Sequence, residues 1–187
     1  MSNNNFFVDY FKAIDRKVQS VDLKLLDYSS RLIKNTQKNG SKVIVVGNGG
    51  SAAIASHVSI DLTKTDNIRT INFNEASLLT CFSNDYGYEH WVEKAIEFYA
   101  DPNDLVILIS SSGQSKNIIN GALKSKEMKL PLITLSGFMK NNPLREIGDI
   151  NLWVDSDHYN VVETVHQTWL LSIVDFLIKN KPTMEEL

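Results

Sequence analysis

Residues 45–62, VVGNGGSAAIASHVSIDL, decide how this chain is read. The segment starts in an apolar run, breaks at Gly47-Asn48-Gly49-Gly50-Ser51, and continues as Ala52 to Leu62 with His57 and Asp61 four positions apart. A short continuous apolar run ending in glycines has the composition of a strand buried on both faces. The residues after the glycines have the composition of a helix. The turn between them is therefore a strand-to-helix turn, where glycines let the chain bend sharply and let a ligand come close to the backbone. The start of the helix presents unpaired N–H groups and a partial positive charge, which suits an anion. Ser51 is the expected N-cap.

The same alternation recurs outward from this unit. The patterning predicts strands at Val43–Val46, Arg69–Phe73, Leu105–Ile109, Pro131–Leu135 and Ile150–Val154. Between them it predicts helices at Ser51–Lys64, Glu75–Phe82, Glu89–Tyr99 and Ser115–Lys126, a turn at Asn84-Asp85-Tyr86-Gly87, and a long closing helix from Val161 to Lys179. Strands that alternate with helices imply an α/β fold with a five-stranded parallel sheet covered on both faces. Ahead of the sheet, Phe6, Phe7, Tyr10, Phe11, Ile14 and Val18 recur at helical spacing, and a second stripe runs from Leu23 to Ile33 behind the N-cap candidate Asp22. The division expected is a helical segment at 1–40 followed by the sheet domain at 41–182, forming one structural domain overall. The apolar faces of the first two helices are generous for surface helices, and would pack on another subunit or on the chain's own sheet.

Bulk composition narrows the function. The 187 residues are 43% hydrophobic and 22% charged, enough for a full core in a domain of ordinary size, and the net charge is −3. No cluster of Lys and Arg marks a nucleic-acid face. No apolar run is long enough to span a bilayer. Cys81 is the lone cysteine, so no internal disulfide forms. The first residues, Met1-Ser2-Asn3-Asn4-Asn5, have no signal-peptide core. A cytoplasmic location is the expectation, with neither nucleic acid nor membrane as a partner.

In parallel sheets, ligands bind beyond the carboxyl ends of the strands. Two of the loops there stand out. The first, Gly47-Asn48-Gly49-Gly50-Ser51-Ala52, also matches a dinucleotide fingerprint, but the second strand ends in Asn72-Phe73-Asn74 and lacks the acidic residue such a site needs. The second, Ser110-Ser111-Ser112-Gly113-Gln114-Ser115, again leads from an apolar strand into a helix. Its hydroxyls and amides would converge on one point, as in a phosphate cradle that uses no lysine. Walker and nucleophile-elbow patterns are absent.

Two further pairs carry chemistry. His57 and Asp61 share one helix face, and Glu163 and His166 share another. If the faces meet, the cluster could bind a divalent metal or move protons; each pair would serve equally as a solvated face with a weak charge pair. Asp85 is a candidate for sugar hydroxyls or a turn former. His90 and His158 are given no role. Trp91, Trp153 and Trp169 are expected in a core or interface, and Trp169 and Tyr86 are also candidates for shaping a sugar site.

Taken together, the glycine loop with Ser51-Ala52-Ala53 and His57, the segment Asn84-Asp85-Tyr86-Gly87, and Ile109-Ser110-Ser111-Ser112-Gly113-Gln114-Ser115 resemble the sugar isomerase (SIS) domain, and within it the phosphoheptose isomerase group. The resemblance implies a flavodoxin-like sheet in a homotetramer. It implies a phosphorylated sugar as ligand, sedoheptulose 7-phosphate in the best-known members, and aldose–ketose isomerisation through an enediol. Ser110, Ser111, Ser112 and Ser115 would hold the phosphate. Asn48, Gly49, Ser51 and Asp85 would line the sugar site. His57, Asp61 and Glu163 would be metal ligands, with zinc as the implied metal, and Asp61, Glu163 and His166 the catalytic groups. The family pattern has a glutamate where this chain has Asp61, a Gln-Glu pair at Glu163-Thr164, and a further histidine ligand at Leu171. These departures bring in a second reading: a non-catalytic SIS oligomer acting through protein binding or regulation. A sugar-phosphate-sensing domain is a third, though such domains come fused to a DNA-binding module and this chain has no length for one.

Overall fold

The computed structural model describes residues 3–178. In chain order it contains α1 (Asn3–Val18), α2 (Leu23–Lys38), β1 (Val43–Gly47), α3 (Gly50–Asp66), β2 (Thr70–Ile71), α4 (Ala76–Tyr86), α5 (Trp91–Tyr99), β3 (Leu105–Ser110), α6 (Lys116–Glu127), β4 (Leu132–Ser136), α7 (Pro143–Ile147), β5 (Ile150–Trp153) and α8 (Tyr159–Leu177). The strands form a wholly parallel five-stranded sheet in the order β2-β1-β3-β4-β5. Lys179, the expected end of the closing helix, and the domain boundary at 182 lie outside the described residues.

The apolar run in β1 is continuous because both of its faces are covered. Val43 and Val45 join Ile107 and Ile109 in one cluster with residues of α3 and α8. Ile44 and Val46 join Val106 and Leu108 in the other, with residues of α5 and α6. Successive side chains point to opposite faces, so a strand between two helical layers must be apolar at every position. Trp91 and Trp169 are fully buried, one in each layer. Tyr10, Ile14, Val18, Leu25 and Leu26 pack α1 and α2 against the α3–α8 layer, and the Trp169 indole N–H donates to the Val18 carbonyl at 2.9 Å. Asp22 caps α2 as expected, accepting from the Lys24 amide at 3.0 Å.

Three expectations are corrected, and one short helix is added. β2 is only Thr70–Ile71, because the side chains of Asn72 and Asn74 tie the next residues to α3 instead: Asn72 donates to Ser59 Oγ, and Asn74 to the Ala52 carbonyl and Ser56 Oγ. α4 extends through Asn84, Asp85 and Tyr86, and the turn falls at Gly87, whose φ of +89° suits glycine. The N-cap of α3 is Gly49, at φ +54°, rather than Ser51, and no side chain caps that helix. α7 was not foreseen; Asn142 caps it and Pro143 starts it. Among the described residues, no helix is long and apolar enough to cross a membrane.

At the amino ends of β1 and β3, opposite these turns, the nearly buried Lys42 ammonium contacts Asp104 at 2.5 Å and Asp101 at 2.6 Å. Burial works against the charge on Lys42, but the hydrogen bonds to the two carboxylates prevail and hold its pKa above the ordinary lysine value. Asp104 is buried and also accepts from the Lys42 amide, whereas Asp101 is exposed. Asp104→Ala should therefore lose about 3 kcal/mol of stability in urea unfolding, because it leaves a buried ammonium half paired. Asp101→Ala should lose about 1 kcal/mol or less.

Candidate active site

Parallel register brings the decisive turns together. Gly47 pairs with Ile109 and Ser110 with Ser136, so β1, β3 and β4 end side by side. The strand order reverses between β1 and β3, the switch point at which such sheets form a crevice. That crevice, about 110 Å³, is lined by Asn48, Ser51, Ile109, Ser110, Ser111, Ser112, Ser115, Tyr159 and Glu163. The glycine turn and the serine turn, predicted from separate stretches of sequence, share one hollow.

The serine loop is held by contacts distant in sequence. Gly113 has φ +66°, and a Cβ there would overlap the side chain of Asn142. Asn142 is buried; it donates to Ser136 Oγ and to the carbonyls of Gly137 and Met139, and accepts from the Arg145 amide. The Gly137 amide donates to the Ser111 carbonyl at 2.8 Å. The hydroxyls stay within the cradle: Ser110 Oγ donates to Ser115 Oγ at 3.2 Å, and Ser111 Oγ to Glu163 Oε1 at 3.3 Å. Ser115 holds the N-cap position of α6 without spending its side chain on a cap.

Asn48 and Ser115 also line a larger hollow of about 480 Å³ with Gly87, Tyr88, Glu89, Lys116 and Asn117. Its floor is a reciprocal amide pair, with Asn48 donating to Asn117 at 3.0 Å and Asn117 to Asn48 at 2.9 Å. Tyr88 adds its hydroxyl to Asn48 Oδ1 at 3.3 Å. Sequence reading missed Tyr88, Asn117, Tyr159 and Asn142. The only local signal among them was Asn142-Pro143, a cap followed by a proline at the first helical position.

The proton-moving candidates separate. Glu163 reaches the crevice, where a Cβ on Gly50 would overlap its carboxylate. His57 and Asp61 close on each other at 3.1 Å further along α3, and Gln167, one turn beyond Glu163, approaches His57 Nδ1 at 3.4 Å. His166 is fully buried beside Trp169 and away from the crevice lining, with Nε2–H donating to the Ser136 carbonyl at 3.1 Å and Nδ1 without a partner among the described residues. Asp85 sits exposed on the last turn of α4, accepting from the Cys81 thiol and the Asn84 amide, and does not line the crevice. Trp169 lies in the core and Tyr86 packs with Phe82 and Phe98, so neither shapes the crevice.

The expected metal ligands are not gathered within one chain. Gly50, against which Glu163 lies, and His57 are seven residues apart on α3, roughly 10 Å along its axis. Leu171 packs against the apolar cluster. Among the described residues, no three His, Cys, Asp or Glu side chains are grouped to hold an ion. His57, Asp61 and Glu163 thus do not assemble, and the residues present do not fit zinc as a three-ligand site.

A sheet of this order has known counterparts. The SIS domain family model matches residues 7–137, and the chain belongs to that family. It is similar to the phosphoheptose isomerase of Aliarcobacter butzleri, with 35% identity over 166 residues covering 86% of this chain and 87% of that protein. It is 30% identical to a Helicobacter pylori phosphoheptose isomerase, over 86% of this chain and 85% of that one. Its fold superposes on a phosphoheptose isomerase from Francisella tularensis with a TM-score of 0.86 at 22% identity, covering 95% and 98% of the two chains.

Burial of His166 can be read out in solution. Burial pushes its imidazole down to about 4 from the usual 6.5, only partly offset by the bond to Ser136. Below pH 6.5 the unfolded chain takes up a proton that the folded protein refuses until about pH 4, so stability falls as pH drops through that window. The contribution is about 3 kcal/mol at most. Urea unfolding from pH 7 to pH 4 should show this fall in the wild type, and a shallower one in His166→Gln.

Proposed function

We propose that this protein is an aldose–ketose isomerase of a phosphorylated sugar, with sedoheptulose 7-phosphate the first substrate to test. The observation that carries the reading is the placement of Glu163 in the same crevice as the serine loop. The amides and hydroxyls of Ser110, Ser111, Ser112 and Ser115 hold the phosphate, aided by the N-terminal ends of α3 and α6. Asn48, Gly49 and Ser51 line the sugar side, and the hollow floored by Asn48 and Asn117 takes the hydroxylated chain. Asp85 is available to sugar hydroxyls only if another subunit's site reaches it.

The chemistry needs one proton moved between neighbouring carbons and one between the two oxygens they carry. Glu163 removes the proton from the carbon beside the carbonyl, leaving an enediolate; the proton of the neighbouring hydroxyl passes to the former carbonyl oxygen, and Glu163 returns its own proton to the adjacent carbon. Asp61 orients His57 through the 3.1 Å contact at the α3–α8 seam. The exposed Phe6, Phe7, Val8 and Phe11 on α1, with Leu23 and Tyr28 on α2, support self-association through residues 1–40, in keeping with a homotetramer. The setting we infer is the cytoplasm.

A second reading, a non-catalytic SIS oligomer acting through protein binding, is favoured by one feature: Leu171 is apolar and packed where a ligand was expected. A coupled assay over several ketose and aldose phosphates, with and without zinc, separates the two. Turnover should fall roughly 100-fold or more in Glu163→Gln, the scale of a lost general base, and stay unchanged in the exposed control Glu127→Gln. Phosphosugar binding without turnover of any substrate would establish the second reading instead. Ser112→Ala and Ser115→Ala should each weaken phosphorylated sugars roughly tenfold and spare the unphosphorylated ones. Equal losses for both ligands would count against the cradle.

A further inference from the structure

The serine cradle already holds an anion of its own. Glu163 accepts from Ser111 Oγ at 3.3 Å and lies against Gly50, the first residue of α3. No side chain caps that helix. The carboxylate therefore stands at a helix N-terminus, where negative charge is stabilised. Among the described residues that line the crevice, none is a Lys, Arg or His, and the space is only about 110 Å³. A phosphate and a carboxylate placed there together would repel with no cation between them.

We propose that Glu163 is the resident anion of the cradle, and that its displacement makes the site discriminate a phosphorylated sugar from free phosphate. The inference rests on the crevice being a phosphate cradle. An entering phosphate expels the carboxylate, which loses the Ser111 hydroxyl and the helix end and must find another donor. A sugar hydroxyl supplies one. Inorganic phosphate does not. Only a ligand carrying both groups recovers what the displacement costs, so Glu163 disfavours occupation by the ion alone.

Isothermal titration with inorganic phosphate and with sedoheptulose 7-phosphate tests this on the full chain. Glu163→Gln keeps the reach and removes the charge. Glu163→Asp keeps the charge but, one methylene shorter, withdraws it from Ser111. Both should bind inorganic phosphate roughly tenfold more tightly than the wild type, the scale of one charge-assisted hydrogen bond. Both should gain less for the sugar phosphate, so the preference between the ligands narrows. Three results would overturn the inference while leaving the cradle standing: unchanged or weaker phosphate binding in the variants, a gain in Glu163→Gln alone, or equal gains for both ligands. Failure of all three proteins to bind either ligand would remove the cradle, and the inference with it.

Discussion

Burial of β1 and β3 on both faces is the constraint on which the molecule depends. Val43 to Val46 and Leu105 to Ile109 are inaccessible to water, and a one-residue slip in their pairing would exchange the side chains of the two helical layers. The register is therefore fixed, and Gly47 must end beside Ile109. Gly47 itself has no room for a side chain: a Cβ would come within 2.6 Å of the Ser51 carbonyl. The crevice is the geometric result of core packing some distance beneath it.

The seam between α3 and α8 is the second organising element. Glu163, Gln167 and Leu171 succeed one another at four-residue intervals along α8, and their surroundings change from crevice to half-exposed imidazole to apolar core. A residue's chemistry here is set by its height on the helix. Direction around the helix matters as well: His166, one position from Gln167 and about 100° away, points into the core, where an imidazole stays neutral.

Strands and helices were legible in the sequence wherever period and punctuation agreed, as in Val43 to Gly47 followed by α3. The serine and glycine turns were legible as neighbours because the parallel sheet leaves their relative position little freedom. The meeting of side chains was less so. Spacing placed Glu163 and His166 on one helix face, yet residues three apart still differ by about 60° around a helix and by a turn's height along it, enough here to send one to the crevice and the other to the core. Likewise, His57 and Glu163 belong to facing helices at different heights. The amide pair of Asn48 and Asn117 joins the glycine turn to the first turn of α6, and no local pattern announces it. The extension of α4 through Asn84 and Asp85 reflects the weakness of turn propensity when only Gly87 needs a left-handed backbone.

The anchorage of the serine loop by Asn142 has an evolutionary side. The loop's shape is not encoded in its own six residues, since its glycine is seated against a side chain from the β4–α7 connection. Transplanting Ser110–Ser115 alone into another scaffold would move the letters and lose the conformation. Drift in the connection around Asn142 can retune what the pocket accepts while every residue that touches the ligand stays the same.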